Sequence, residues 1–586
     1  MSAAMNTTNE ITNFMEGTSF RMFNPLKRLE LVAFSSFLGE PTYYQPVGNI
    51  EPTKNKNNNL ILDIDKDIIK KYLLIPDDMG VSRNETFYKA ANASLDFDFK
   101  KTLELAVRCR NEFMMRKSTS QLLAIAAAHP ARVEFNKNNP KFFREILVKC
   151  WLLPGDAISC LDSWKALFGS KSKFPSFLKR AYEDRLETLS VYQQEKYRKD
   201  SISMVRLSHP SKKTLNKNDT LSTLMSQGYL ELDEQDIKWE THRSMGKNWI
   251  ETLEIMKWKM PHMAALRNIR SFAASNPGIG KLLTYLQMLL SGVKGGKQFP
   301  FRYITAYNQL NESFSKTEEN IEEKDIEKET SHDEVQSGNK RKRKSPVILP
   351  EYRDVILEYL EKCLQLSIEN YPMLEGNVVS LSDNSGSAHG TLTSSYGKST
   401  VANIGNLSAL FTAYRASGRG VVGIFGDTLK MYEVDKSKSL LEQYREISEL
   451  GKTVGGNTEN GVWLFFKKAF QNPNDYKFDH WFCYSDMQVG HGGLYGSDLD
   501  IINNGFLWGN RCTNSILYLD IHKCITKYHM EINPKLNTYM VQTAGYDNTI
   551  LPESTYRGAI LTGWTGNEVV YAKELCRLWN ELENIC

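Results

Sequence analysis

The stretch 376-GNVVSLSDNSGSAHG-390 decides how the chain is read. A short run containing Val378, Val379 and Leu381 stops on Asp383, and hydroxyls follow at alternate positions, Ser385 and Ser387. Branched apolar residues in so short a run suit a buried strand. The texture repeats downstream. Strand-like 420-GVVGIFGD-427, 479-DHWFCYSD-486, 536-LNTYMVQTAG-545 and 557-RGAILTGW-564 alternate with helical patterns over 400–416, 439–452, 460–470 and 570–580. Strands alternating with helices predict βαβ units and a mostly parallel sheet covered on both faces. Ligands of such sheets gather beyond the carboxyl ends of the strands, which is where Asp383 falls.

One carboxylate and two hydroxyls are hard oxygen donors that suit Mg²⁺ first, or Mn²⁺ or Ca²⁺, and not zinc. The following helix points its positive end at the same loop, so a cation there needs further negative oxygens. Two later loops supply them: 454-VGGNTENG-461 through Thr458 and 484-YSDMQ-488 through Asp486. Asp383, Ser385, Ser387, Thr458 and Asp486 leave about one position of an octahedron for water or an outside carboxylate. Asp-x-Ser-x-Ser by itself also fits a capped turn, because Ser and Asp are common helix caps. The ordered set of three strand-end loops resembles the metal-ion-dependent adhesion site of von Willebrand A domains, over about 376–586. The loop that usually reads Gly-Gly-Thr-Asp is 455-GGNTE-459 here, and residues 487–530 read as an insertion beside the metal face.

The part before this domain has another texture. Residues 1–60 read as an irregular N-terminal arm, polar and Asn-rich towards its end. From 61 to about 310 apolar residues recur at helical spacing, most clearly over 100–115, 119–129, 141–151, 158–168, 175–189, 249–258, 261–273 and 279–289. Many short helices in series predict a helical-repeat solenoid. Residues 315–346 are almost wholly polar and read as a disordered insertion. They contain 340-KRKRK-344, which fits a nuclear import signal, a phosphate-binding tail or charge balance for the acidic run beside it. A helix over 350–370 then leads into the A domain.

The chain of 586 residues is 41% hydrophobic and 11% aromatic, ordinary values for globular domains, so two to four domains are expected. It has no apolar run of membrane-spanning length, and its start lacks a secretory pattern. Nine cysteines without a Cys-x-x-Cys pair read as scattered reduced thiols, which points to the cytoplasm, with a nucleus as the alternative if Lys340–Lys344 act as an import signal. The net charge of +4 is unevenly spread: residues 1–310 carry about 13 net positive charges and 311–586 about 9 net negative ones. A basic half suits polyanions or is simply a lysine-rich surface.

Three segments of the basic half, 202-ISMVRLSHPSKK-213, 257-KWKMPHMAALRNIRSF-272 and 299-FPFRYITAYNQL-310, followed by the A domain, resemble the TROVE module of the Ro autoantigen family over about 20–586. The resemblance implies an all-α, HEAT-like helical-repeat ring over 61–370, closed by an α/β, Rossmann-like von Willebrand A domain. It also implies a monomeric ring that binds small non-coding Y RNAs on its outside and passes single-stranded ends of misfolded RNAs through its hole. The family's Leu-Ser-His maps that uptake onto His209, with Arg206, Lys212 and Lys213 as phosphate contacts and Lys196 and Arg198 as upstream matches. Read from the residues, Arg267 and Arg270 lie three apart and project from one helix face, a geometry that grips phosphate or pairs with carboxylates. Lys179 and Arg180 sit on a polar helix face.

No catalytic constellation stands out: His-Glu-x-x-His, a Walker loop and Gly-x-Ser-x-Gly are all absent. Three readings stay open. The first is a non-enzymatic ribonucleoprotein subunit in RNA quality control. The second is a scaffold that clasps a partner's carboxylate, for example that of an exoribonuclease, through the metal. The third is a metal-dependent nuclease, disfavoured because the carboxylates are too few and dispersed for two-metal chemistry.

Overall fold

The computed structural model describes residues 8–12, 18–22, 24–34, 53–54, 60–61, 83–112, 115–210, 219–233, 237–296, 298, 300–311, 348–390, 400–456, 461–487, 521–543, 548–552, 555–562 and 567–583. Two compact units emerge: one from Met1–Leu232, Leu374–Val434 and Glu446–Cys586, the other from Asp233–Met373 and Asp435–Arg445. The sequence reading gives an arm over 1–60, a helical part over 61–370 and an A domain over 376–586; by contact the chain divides after Leu232 and again after Met373. The proposed insertion 315–346 and its basic pentamer lie outside the described residues.

A six-stranded sheet organises the first unit. Its strands are β1 (Val378–Asp383), β2 (Gly420–Phe425), β3 (Leu429–Glu433), β4 (His480–Ser485), β5 (Asn537–Gln542) and β6 (Gly558–Thr562). Their spatial order is 6-5-4-1-2-3, with every neighbour parallel except β3, which runs antiparallel to β2. This is the doubly wound arrangement expected, with the switch point between β1 and β4. Alternation along β1 sends Val379 and Leu381 to a face covered by helices Gly461–Gln471 and Ile521–Glu531, whose Phe465, Phe466, Ile525 and Tyr528 share one core with them. Helix Val401–Tyr414 packs on β1, β2 and β4, while Asn567–Glu583 covers the far end, where Trp579 stacks on Tyr539 at 5.9 Å.

Strand β3 escaped the sequence reading because Lys430 and Glu433 break its pattern, as suits a half-exposed edge. Of the 487–530 insertion, Ile521 onward is core helix and 488–520 lie outside the described residues.

The helices of this unit form two rows. Phe99–Asn111, Phe142–Cys150 and Ser176–Thr188 pack in succession, and so do Arg116–Ala128, Pro154–Phe168 and Arg198–Ser208. One continuous core lies between the rows, running from Leu29 to Leu221. Stacked helical hairpins of this kind are the predicted repeat architecture. A buried carboxylate links three of these helices: Asp156 accepts from Arg110 Nη2 at 2.8 Å, from Arg116 Nε at 2.5 Å and from the Leu153 N–H at 3.0 Å.

The expected irregular arm is ordered in part. Thr8–Thr12 and Thr18–Met22 form an antiparallel hairpin, the second strand of which also pairs with Asn548–Thr549 of the sheet domain. Helix Pro25–Phe34 follows and inserts Leu29, Val32 and Ala33 into the helical core, while its Glu30 meets Arg108 at 2.9 Å. These contacts join the first helices and the sheet domain in one unit.

Among the described residues the second unit is all-helical. Helices Trp249–Ile255, His262–Ala273, Ile279–Ser291 and Pro350–Ser367 carry most of it, with Phe272 stacked on Tyr285 at 4.2 Å. Among the described residues no helix is long and apolar enough to cross a membrane. The described cysteines are free thiols, all buried but Cys576.

His480, the first residue of β4, is 2% exposed. Its Nε2 meets the Glu375 carbonyl at 3.0 Å, and burial pushes its pKa down to about 4. The unfolded imidazole titrates near 6.5. Above that pH both states are neutral; below it the unfolded chain gains a proton that the native one refuses until about pH 4. Stability is therefore complete above about pH 6.5 and falls by about 3 kcal/mol towards pH 4 from this group. Urea unfolding of His480→Gln at pH 5 and 7.5 should show a smaller pH dependence than the natural protein does.

Candidate metal centre and basic surface

Asp383 ends β1 beside Ser485, the last residue of β4, at the switch point. Its carboxylate is 1% exposed. Ser485 Oγ donates to Oδ2 at 2.7 Å and the Ser385 N–H donates to Oδ1 at 2.9 Å. Ser385 Oγ lies 3.1 Å from Ser387 Oγ. Among the described residues no lysine or arginine pairs with this carboxylate. Burial consequently raises its pKa, against the opposing pull of the two serines and the more distant His389.

The loop is held from below by amides. Asn384 Nδ2 donates to Asn406 Oδ1 at 2.8 Å, Asn406 Nδ2 returns a bond to Asn384 Oδ1 at 3.0 Å, and Ser382 Oγ also donates to Asn406 Oδ1 at 2.8 Å. A side chain at Gly451 would place its Cβ 2.3 Å from Asn384 Oδ1, so the close approach requires glycine. With Asn384 turned inwards, Asp383 and Ser385 are left at the sheet edge.

The second loop docks directly on the first: the Gly386 N–H donates to the Gly456 carbonyl at 2.6 Å. Gly455 supplies the turn with φ +88°, and a Cβ there would strike Asp427. Thr458, two residues beyond Gly456, lies outside the described residues. Asp486 is 1% exposed, and its carbonyl accepts from Gln542 Nε2 at 3.2 Å. The structure thus joins Asp383, Ser385 and Ser387 in one bonded group and places the backbone of Asp486 next to it. Ser485, which holds Asp383, is a residue to which the sequence reading assigns no role. Among the described residues no cluster of three His, Cys, Asp or Glu could share an ion, so hydroxyls would have to complete any metal shell.

The expected basic residues fall into two places. In the first unit Lys196 ends helix Val191–Lys196, with its Nζ 3.3 Å from Tyr192 Oη. Arg198 and Arg206 are exposed on helix Arg198–Ser208, with Arg198 3.5 Å from Glu195. Eight residues place Arg206 about 12 Å along the helix axis from Arg198 and about 80° round it. His209 caps that helix, exposed and left-handed at φ +50°. Lys212 and Lys213 lie outside the described residues. Lys179 and Arg180 lie on the separate helix Ser176–Thr188, Lys179 half-buried and Arg180 exposed. In the second unit Arg267 and Arg270 are exposed on His262–Ala273. The carboxylate partner that would make Arg267 structural is not found among the described residues.

This architecture matches the crystal structure of the Deinococcus radiodurans Ro (RSR) protein, with a TM-score of 0.51 over 94% of this chain and 99% of that one. The chain has the fold of a Ro protein. Identity to that structure is 10%. No family model and no curated protein sequence matches the chain. The Ro likeness therefore rests on architecture alone.

Asp383→Asn should preserve the contacts of this sheet edge, since an amide can accept from the Ser385 N–H and donate to Ser485 Oγ. Removing an unpaired buried charge should raise the melting temperature of chelator-treated protein at pH 7.5 by a few degrees. Differential scanning fluorimetry in EDTA would show it, and a fall would mean that the charge is already compensated.

Proposed function

We propose that this chain is an RNA-binding ribonucleoprotein subunit. It holds a small structured non-coding RNA, engages single-stranded ends of misfolded RNAs in quality control, and acts by binding instead of catalysis. The observation that carries this reading is the exposed basic edge Lys196–Arg198–Arg206–His209 on a Ro-type scaffold, within a stretch, 101–310, that carries about 15 net positive charges. Two exposed arginines about two turns and 12 Å apart along the helix axis suit phosphates of one structured RNA, and His209 at the helix end adds a donor or a stacking face.

In the A domain, Asp383, Ser385 and Ser387, with Asp486 and Thr458, would hold a divalent cation, Mg²⁺ foremost. The fit rests on the buried carboxylate, which lacks a cationic neighbour among the described residues and is surrounded by hydroxyls. A bound cation would supply the missing counter-charge and a coordination position for a carboxylate from outside. This open position favours a second role, as a clasp for a protein partner.

Two measurements test these roles separately. Affinity for a hairpin RNA should fall steeply with salt, and Arg198→Ala with Arg206→Ala should reduce the log–log slope by about two. Salt-insensitive binding, or binding of a neutral-backbone analogue with equal strength, would sink the RNA reading. Mg²⁺ should raise the melting temperature of the natural protein but not of Asp383→Ala, while hairpin binding stays equal in both. Loss of RNA binding in Asp383→Ala would show that the two roles are not separable.

A further inference from the structure

Helix Leu440–Gly451 carries the second loop of the candidate metal centre. Only Lys452, Thr453 and Val454 separate its end from the turn at Gly455, and each of them is tied down. The Lys452 N–H donates to the Glu449 carbonyl at 3.2 Å and the Thr453 N–H to the Leu450 carbonyl at 3.0 Å. The Val454 carbonyl accepts from the Thr428 N–H at 3.0 Å, and Thr453 Oγ1 accepts from Lys430 Nζ at 2.7 Å. Gly456 then meets Gly386, while Gly451 lies against the Asn384 amide that holds the first loop. No slack is left between helix and loop. A loop that shifts on taking up a ligand takes the helix with it.

The same helix begins among other neighbours. By contact Asp435–Arg445 belong to the second compact unit and Glu446 onward to the first, so the boundary falls inside one continuous helix. The first N–H groups of a helix need partners from outside it. Here Ser439 Oγ accepts from the Glu442 N–H at 3.2 Å, and the Leu440 N–H donates to Oε1 of Gln365, on helix Pro350–Ser367, at 3.2 Å. Further along, Arg445 Nη2 donates to Tyr307 Oη at 3.0 Å, with the guanidinium 5.8 Å from the ring centre. Tyr307 stands on the helix over 301–311. The turn before the helix is fastened too: the fully buried Gln443 accepts from the Asp435 N–H at 2.9 Å and donates to the Asp435 carbonyl at 2.8 Å.

Close-packed elements move between discrete positions and do not deform gradually. The helix has 12 residues, a length of about 18 Å, with bonded contacts at both ends and no flexible link inside. We infer that helix Leu440–Gly451 is a coupling element. Engagement of the A-domain cation site is transmitted to the helices over 301–311 and Pro350–Ser367, and by linkage the state of those helices sets the affinity of the site. The inference rests on the metal reading above and adds to it the regulation of that site.

Hydrogen–deuterium exchange of the full chain, in EDTA and in saturating MgCl2, provides the test. In the natural protein Mg²⁺ should slow exchange at 384–390 and 451–456 and also, by about five-fold, at 301–311 and 350–367. Arg445→Ala with Gln365→Ala should keep the response of the loops and lose that of the two helices. Arg445 is exposed and Gln365 half-buried, so the pair can be removed without opening a core. The quantity read is the Mg²⁺-dependent difference, which a mere loosening of the helices does not cancel. Glu449→Ala, an exposed position on the same helix, should leave both responses in place. If Mg²⁺ slows the loops of the natural protein but not the two helices, or if the double variant responds in full, the coupling is overturned and the metal reading stands. A helix response that survives in Asp383→Ala overturns the coupling as well, since Mg²⁺ then acts elsewhere. No response at the loops or the helices overturns both.

Discussion

A carboxylate cannot be buried without something to answer its charge, and among the described residues Asp383 is buried at the switch point with only hydroxyls, an N–H and a distant imidazole to answer it. Much of the upper sheet edge follows from that constraint. Ser485 must end β4 opposite Asp383. Asn384 must turn away, which it does into the reciprocal amide pair with Asn406. The space for that pair comes from Gly451, and the second loop is brought in by a backbone bond from Gly386 to Gly456. The edge is thus a rigid frame around one costly group, the kind of arrangement that pre-organises a site.

The sheet domain was legible because its signals are local. Short apolar runs ending on polar loops announce buried parallel strands, and the spacing of Asp383, Ser385 and Ser387 announces the strand-end site. What was not legible depends on residues far apart in the chain. Edge strand β3 has no apolar period of its own; its pairing with β2 makes it a strand. The N-terminal hairpin is polar in sequence, and only the distant Asn548–Thr549 gives it a sheet to join. Arg267 shows the same limit. Its helical face is predictable, but the absence of a carboxylate partner among the described residues is a tertiary fact.

The two kinds of basic residue differ in the way that matters for binding. Arg110 and Arg144 are spent on internal carboxylates and act as structure. Arg206, Arg267 and Arg270 are exposed without such partners among the described residues, so their charge is directed outwards. Net charge alone cannot make this distinction, and for that reason the basic surplus of the helical half is a weaker guide than the pairing of individual side chains.

The pairing of Thr18–Met22 with Asn548–Thr549 carries a further consequence. The two partners are separated by more than 500 residues. A ribosome adding roughly 5–20 residues each second needs on the order of half a minute to a couple of minutes to make the second after the first. Throughout that interval the hairpin made at the start of synthesis presents an unmet strand edge, while the helices behind it already pack. Final closure of the first unit is therefore a late event that waits for almost the whole chain, and the nascent protein depends in the meantime on whatever shields a bare strand from its neighbours.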